Sequence, residues 1–247
     1  MYPTPSLKSI KPSLNLMRLS ALCGALGAAM WTASDALLLG YRSDLTSYPI
    51  LSESAFLGDR ELAAMVASGS ASAQATGAVL AVLACPLLVL ALYLVLAALK
   101  PVGRLWQAGV GLPLLAGFCW SPATLATYYG LGQAVRIALN VERTCTESVL
   151  ALAGSFEHLL MELWLPAVGA MSLGWLLMGY LTLRRKTFYP RFFIILNPLP
   201  MAVAAFGMVR LLPAPLSVTF GSAGISLGLG AFFLASLVML MMPRSRL

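Results

Sequence analysis

The sequence predicts an all-α polytopic membrane protein, a single domain over residues 1–247 built as a bundle of six transmembrane helices with both termini cytoplasmic. Three observations predict it. The chain is 60% hydrophobic and only 10% charged, where a soluble domain is nearer half apolar and about a quarter charged. So little charge cannot coat a water-facing surface, so lipid must cover much of the protein. Six apolar runs reach the ~20 residues that a bilayer crossing needs. Finally, the basic residues gather in alternate connections, which is the signature of an oriented multi-pass protein.

In chain order, the first span is expected over residues 18–41, preceded by a cytoplasmic segment 1–17 that carries Lys8 and Lys11, with Arg18 at the boundary. A basic start resembles a signal peptide, but the apolar run continues through "ALLLGY", which is long for a cleaved leader, so a retained helix is expected. Residues 42–72 form an extracytoplasmic loop. Within it "GDRELAAMVAS" reads as a short helix, with Asp59 at its N-cap and Leu62, Met65 and Val66 on one face. Spans two and three, 73–99 and 105–129, are joined by a short turn with Lys100 and Arg104. Residues 130–157 form a second extracytoplasmic connection with helical pattern, starting a helix at Thr146 that runs into span four, 158–183, with a bend expected at Gly154. Arg184, Arg185, Lys186 and Arg191 precede span five, 190–212, and Arg244 and Arg246 follow span six, 217–242. Acidic residues sit in the opposite connections, so the net charge of +7 belongs to membrane orientation and the predicted location is the inner (plasma) membrane.

Several function classes are excluded by what is missing. There is no GxxxxGK[ST] or GxGxxG motif, and four scattered cysteines with one histidine form no zinc, iron–sulfur or bis-histidine haem pattern, so no cofactor is expected. The basic surplus is accounted for by topology, so no nucleic-acid partner is expected.

The polar residues inside the spans then need a reason. Asp35, in "WTASDALLLGY", lies about 25 Å of helix above Arg18 and therefore near the outer edge of the apolar core. A carboxylate facing lipid there costs a few kcal/mol, so it should face the bundle. Glu162, His158 one turn above it, Arg210 in span five and Tyr128 at the end of span three reach the same depth. Their convergence predicts an outward-facing pocket lined by Asp35, Tyr128, His158, Glu162 and Arg210, partly covered by the 42–72 loop. Asp35 with Arg210 would form a buried ion pair. Asp35, Glu162 and His158 would serve as proton carriers or as metal ligands, though a single histidine makes a poor metal site. Glu157 and His158 are alternatively interfacial residues at a helix start.

On the other side, Asn197-Pro198-Leu199-Pro200 removes two backbone donors and should bend or break span five, with Asn197 satisfying the freed groups or lining a cavity. Pro86, Pro113 and Pro166 add kinks, and the small residues Gly24, Gly27, Ala28, Gly221, Gly224, Gly228 and Gly230 permit close helix approach. Cys119 and Cys145 both fall toward the outer side, where a disulfide would form in an oxidising compartment.

Two stretches, "SDALLLGY" and "TFYPRFFIILNPLP", resemble an uncharacterised family of six-helix bacterial membrane proteins. The resemblance implies that layout over nearly the whole chain and marks Asp35, Arg191, Asn197 and Pro198. It carries no activity.

The expected function is therefore binding or transport of a small ligand, lipid or ion at the pocket. The alternatives are a lipid-modifying intramembrane enzyme using Asp35, His158 and Glu162, and a subunit that assembles with another membrane protein. Expected partners are membrane lipids, a small-molecule ligand or a membrane partner protein.

Overall fold

The computed structural model describes residues 13–214 and 216–242, apart from the side chain of Arg143. The orientation signals at Lys8, Lys11, Arg244 and Arg246 lie outside the described residues. The elements are α1 (Leu14–Leu39), α2 (Pro49–Glu53), α3 (Arg60–Ser68), α4 (Ala71–Ala98), α5 (Arg104–Asn140), α6 (Arg143–Leu183), α7 (Pro198–Val209), α8 (Leu216–Thr219) and α9 (Gly224–Met241). Short 3-10 turns at Leu45–Ser47, Lys100–Val102 and Arg191–Ile194 link them, and there is no strand among the described residues.

Five helices are long and apolar enough to cross a bilayer: α1, α4, α5, α6 and α9, the most apolar being α4 with a mean hydropathy of 2.9. Val79, Val82, Leu83 and Leu90 stand exposed along α4. That outward apolar surface suits acyl chains, and the protein belongs to the multi-pass helical membrane class.

The helices pack up and down. Arg18 donates from Nε and Nη2 to the Leu240 carbonyl at 3.0 and 2.8 Å, tying the start of α1 to the end of α9. The Ser20 hydroxyl bridges α4, donating to the Leu90 carbonyl at 2.6 Å and accepting from the Leu94 amide at 3.1 Å. The central bundle core gathers Trp31, Phe118, Trp175, Phe232 and Phe233 with aliphatic side chains from α1, α4, α5, α6 and α9.

The expected fifth span is not one continuous helix. Pro198 occupies the first position of α7, where its missing N–H costs nothing, and Asn197 caps that end by accepting from the Leu199 amide at 3.1 Å. The 12 residues of α7 rise about 18 Å, well short of a ~30 Å core. The irregular stretch before it still runs beside α9 in the opposite sense. Tyr189 Oη lies 3.0 Å from Ser236 Oγ, the Phe193 ring meets Phe232 edge-on at 5.9 Å, and Phe206 packs over Gly224. Between them, a Cβ on Gly228 would sit 2.6 Å from the Pro198 carbonyl oxygen, so only glycine lets the two backbones approach this closely. The backbone of this stretch keeps its amides satisfied, since those of Phe193, Ile195, Leu196 and Asn197 bond to carbonyls three residues back, as a crossing segment requires.

The other departure is length. α5 has 37 residues and α6 has 41, rises of about 55 and 60 Å. Both overshoot the bilayer at the end opposite the basic connections and carry a second apolar core, here called the cap. It joins Leu51, Leu57, Ala63, Ala64, Val66 and Ala67 to Leu131, Ala134, Val135, Ala138, Leu150, Ala153 and Leu160. The segment expected as a separate connection, 130–157, is thus the continuation of both helices across a two-residue turn. α6 runs unbroken through Gly154, where a Cβ would collide with the Phe56 carbonyl oxygen, so the glycine admits the loop.

The short loop helix forms as the sequence indicates. Asp59 Oδ1 accepts from the Leu62 amide at 2.9 Å. Its packed face is Ala63, Ala64, Val66 and Ala67, with Met65 only half-buried.

Candidate functional site

Where α1 approaches the cap, the bundle core opens into a cavity of about 240 Å³. Trp31, Asp35 and Leu39 of α1 form one wall, Ser121, Thr124 and Tyr128 of α5 a second, and Trp164, Val168 and Met171 of α6 a third. Phe206 of α7 and Ser222 and Ser226 at the start of α9 close the circle. A narrow crevice of about 30 Å³ continues downward between α6, α7 and α9, bounded by Val168, Trp175, Pro198 and Ile225. Two of the rim residues, Trp164 and Phe206, are each 39% exposed. The cavity therefore opens sideways, between α6 and α7, where those helices diverge from their contact at Trp175 and Asn197.

Helical spacing explains why α1 serves this site. Trp31 and Asp35 lie four residues apart, on one face, with Leu38 and Leu39 continuing it. Asp35 Oδ2 accepts from Ser226 Oγ at 2.8 Å, and the backbone carbonyl of Asp35 accepts from Ser222 Oγ at 3.4 Å. The same Ser226 hydroxyl lies 3.0 Å from the Ala223 carbonyl. One hydroxyl proton thus faces two acceptors, and only one can take it at a time. With Asp35 ionised, Ser226 turns its proton to the carboxylate. With Asp35 protonated, the acid donates to Ser226, which turns back to Ala223.

Two further groups matter. The indole Nε1 of Trp31 and Oγ1 of Thr124 are buried with no hydrogen-bond partner among the described residues, and both residues line the cavity. The two side chains are 4% and 3% exposed. Buried polar atoms are nearly always paired, so an indole N–H and a hydroxyl that lack partners on residues lining the cavity call for one there. Asp35 is the only charged residue on the wall among the described residues.

The structure brings Asp35 and Tyr128 to the cavity and puts the other sequence candidates elsewhere. His158 and Glu162 do not join it. Their side chains are 79% and 62% exposed and approach each other, Nε2 to Oε1 at 3.2 Å. At about 100° per residue, the inward stripe of α6 is Glu157, Leu160, Trp164, Ala167, Val168 and Met171, and His158 and Glu162 fall on the far side of the helix. The inward acid is Glu157, and it serves the cap: its carboxylate accepts from the amides of Gly58 and Asp59, the Gly58 bond being 3.0 Å. Arg210 is exposed at the end of α7, and no ion pair links it to Asp35. Asn197 is buried and has a partner for each of its amide atoms, donating to the Trp175 carbonyl at 2.9 Å while capping α7. No group of three or more His, Cys, Asp or Glu side chains that could hold a metal occurs among the described residues, so the triad of Asp35, His158 and Glu162 does not assemble. Cys119 and Cys145 are exposed free thiols, not a disulfide.

Ser226 and Ser222 are the functional positions that sequence reasoning passed over. The available signal was Ser226 in "GISLG", a hydroxyl in the apolar sixth span that antiparallel packing against α1 sets opposite Asp35.

The fold and site define a multi-pass helical membrane protein with a laterally open, aromatic-walled cavity holding one carboxylate. Comparison with protein-family models, with curated proteins and with solved structures gives no match, so the functional reading rests on the site itself.

Proposed function

We propose that the protein binds, and in the course of its cycle moves, a small ligand at the cavity between α1, α5, α6, α7 and α9. The observation that carries this reading is the pair of unpartnered buried groups, Trp31 Nε1 and Thr124 Oγ1, on a wall that also holds Asp35. Concave sites that combine apolar and aromatic walls with a few convergent polar groups are the usual form of a small-molecule site. The acid–base or metal set that an enzyme reading needs has no support, because His158 and Glu162 point away from Asp35.

The same proposal includes the topology. Residues 189–209 make the remaining crossing as a broken helix, giving six, with both termini cytoplasmic in the plasma membrane of a bacterium. Lys100, Arg104 and Arg184 to Lys186 at one end, against Asp44, Glu53, Asp59 and Glu61 at the other, support that orientation. The cap is then extracytoplasmic, and the lateral opening faces the outer leaflet, so that membrane lipids are the first neighbours of the site.

The test is a thermal-stability screen of the purified protein against amines, alcohols, sugars and lipids, with Val168→Trp as the filled-cavity control. At least one compound should raise the melting temperature of the native protein and not of the variant, as binding to the folded state requires. If no compound separates the two proteins, the cavity is not a ligand site.

A further inference from the structure

Resting on the reading of this cavity as a ligand site, we infer its ligand class: an ammonium group with an oxygen acceptor beside it, carried on a small apolar body. Three independent features of the wall select it.

The first is charge. Among the described residues, Asp35 has no cation to pair with. The lining contains no Lys, Arg or His, and the sole ion pair among the described residues is His158 with Glu162, on the opposite face of α6. The only hydrogen bond that reaches the carboxylate among the described residues is the one from Ser226, to Oδ2. Oδ1 is left for a guest. An ionised carboxylate at this depth calls for a counter-charge, and an anionic ligand would add repulsion instead.

The second is the aromatic enclosure. Trp31, Tyr128, Trp164 and Phe206 stand on four sides of the cavity. Ring faces attract cations, and most strongly where water is excluded. A metal ion or a bare proton gains little from such walls, whereas an organic ammonium gains from the carboxylate and the rings together.

The third is the mismatch in the open groups. An ammonium only donates, so it can satisfy Asp35 Oδ1 and Thr124 Oγ1, but it leaves the Trp31 N–H without an acceptor. Trp31 lies one helical turn from Asp35 on the same face. The ligand must therefore carry an oxygen a few bonds from its nitrogen, as an amino alcohol, an amino ether or an ethanolamine headgroup does. The cavity volume of about 240 Å³ lies just below the 300–1,000 Å³ range of drug-sized sites, so the group inside is small. The lateral gap at Trp164 and Phe206 lets an apolar remainder extend into lipid.

This chemistry has two sources, a free amphipathic amine or the headgroup of a bilayer aminolipid, and one experiment separates them. The protein is placed in nanodiscs of phosphatidylglycerol alone and titrated with 2-benzyloxyethylamine and with its neutral counterpart 2-benzyloxyethanol, reading tryptophan fluorescence. The amine should bind about tenfold tighter than the alcohol, the span expected of a carboxylate and aromatic faces acting on a cation. Asp35→Asn should bring the amine down to the alcohol while leaving the alcohol unchanged. In discs of equimolar phosphatidylethanolamine and phosphatidylglycerol, weakened amine binding assigns the native occupant to the lipid headgroup, and unchanged binding assigns it to a free amine. Equal binding of amine and alcohol, both lost in Val168→Trp, would overturn the ammonium assignment while the cavity stands as a ligand site. Binding of neither probe would overturn both. If Asp35→Asn does not fold, the amine-to-alcohol ratio in the native protein decides the matter alone.

Discussion

The bundle and the cap use the same two helices, α5 and α6, yet they are held together by opposite means. In the bundle, large rings do the packing. Phe232 sits among Trp175 at 5.0 Å, Phe233 at 5.3 Å, Tyr189 at 5.6 Å and Phe193 at 5.9 Å, and the one carboxylate nearby is met only by a serine. In the cap the buried core side chains are aliphatic, alanines and leucines with two valines, and the loop is fastened by charged and amide groups that reach for backbone. Glu157 takes the amides of Gly58 and Asp59 at the start of α3. Arg136 gives to the carbonyls of Val66 and Gly69 at 3.0 and 2.8 Å at its end, joined at Val66 by Gln74 at 2.8 Å. A negative group at one end of α3 and a positive group at the other also match its dipole. The contrast teaches how to read polarity by location. In the cap a polar side chain secures backbone. In the bundle, a carboxylate that secures no backbone is left over for something else, and Asp35 is that residue.

The largest effect that tests this contrast is expected from Phe232→Ala. Truncating a fully buried aromatic costs about 3–5 kcal/mol, and here it removes the ring common to α6, α9 and the irregular stretch before α7. Global thermal unfolding in detergent should shift down strongly, taking the cap with it, because the cap is built on the ends of α5 and α6 and tied to α4 through Gln74. A cap that kept its amide protection after the bundle had melted would break the comparison. Next in size is Glu157→Ala, which strands two amide donors and removes the charge at the start of α3, at a cost of about 2 kcal/mol. Amide exchange over residues 58–68 should accelerate while the melting of the bundle stays put. Exchange that accelerated equally in α4 and α9 would mean that the two regions unfold as one.

How much of this was legible beforehand divides along the same line. Five of the six expected apolar runs, the Asp59 cap and the break at Asn197-Pro198 follow from local rules of length, capping and missing donors, and they are where the sequence puts them. Asp35 and Tyr128 share a cavity because depth along a helix can be counted from its basic end. Depth without direction misled the rest. Glu162 has the right height on α6, but its side chain emerges on the outer face, and counting the stripe through Leu160, Trp164 and Met171 selects Glu157 instead. The extension of α5 and α6 beyond the bilayer was hidden because periodicity reports a helix without saying where lipid ends. The bonds from Arg136 and Gln74 to Val66 join segments far apart in sequence, and no local pattern announces them.

The smallest expected effect lies at the edge of the cap, at Asp44. Its carboxylate accepts from the hydroxyl of Thr46 at 2.6 Å, the hydroxyl of Ser47 at 2.9 Å and the amide of Thr46 at 3.1 Å. These bonds, led by that of the Thr46 side chain, hold the Asp44 carboxyl below its ordinary value. All of them are stronger to the ionised form, so the sign follows. Their contribution is fully present above the unfolded value of about 3.9 for aspartate, and it is lost as pH falls through the lower folded value. Acidification from pH 5 toward 2 should therefore release the amides of Thr46 and Ser47 to exchange, without moving the unfolding of the bundle. In Asp44→Asn the acid-dependent part of that release should vanish, because no titrating group is left at the turn. Should the turn open at the same pH in the variant, the acid sensitivity belongs to another carboxylate of the cap, and Glu157, whose loss opens the far larger segment at α3, is the one to titrate next.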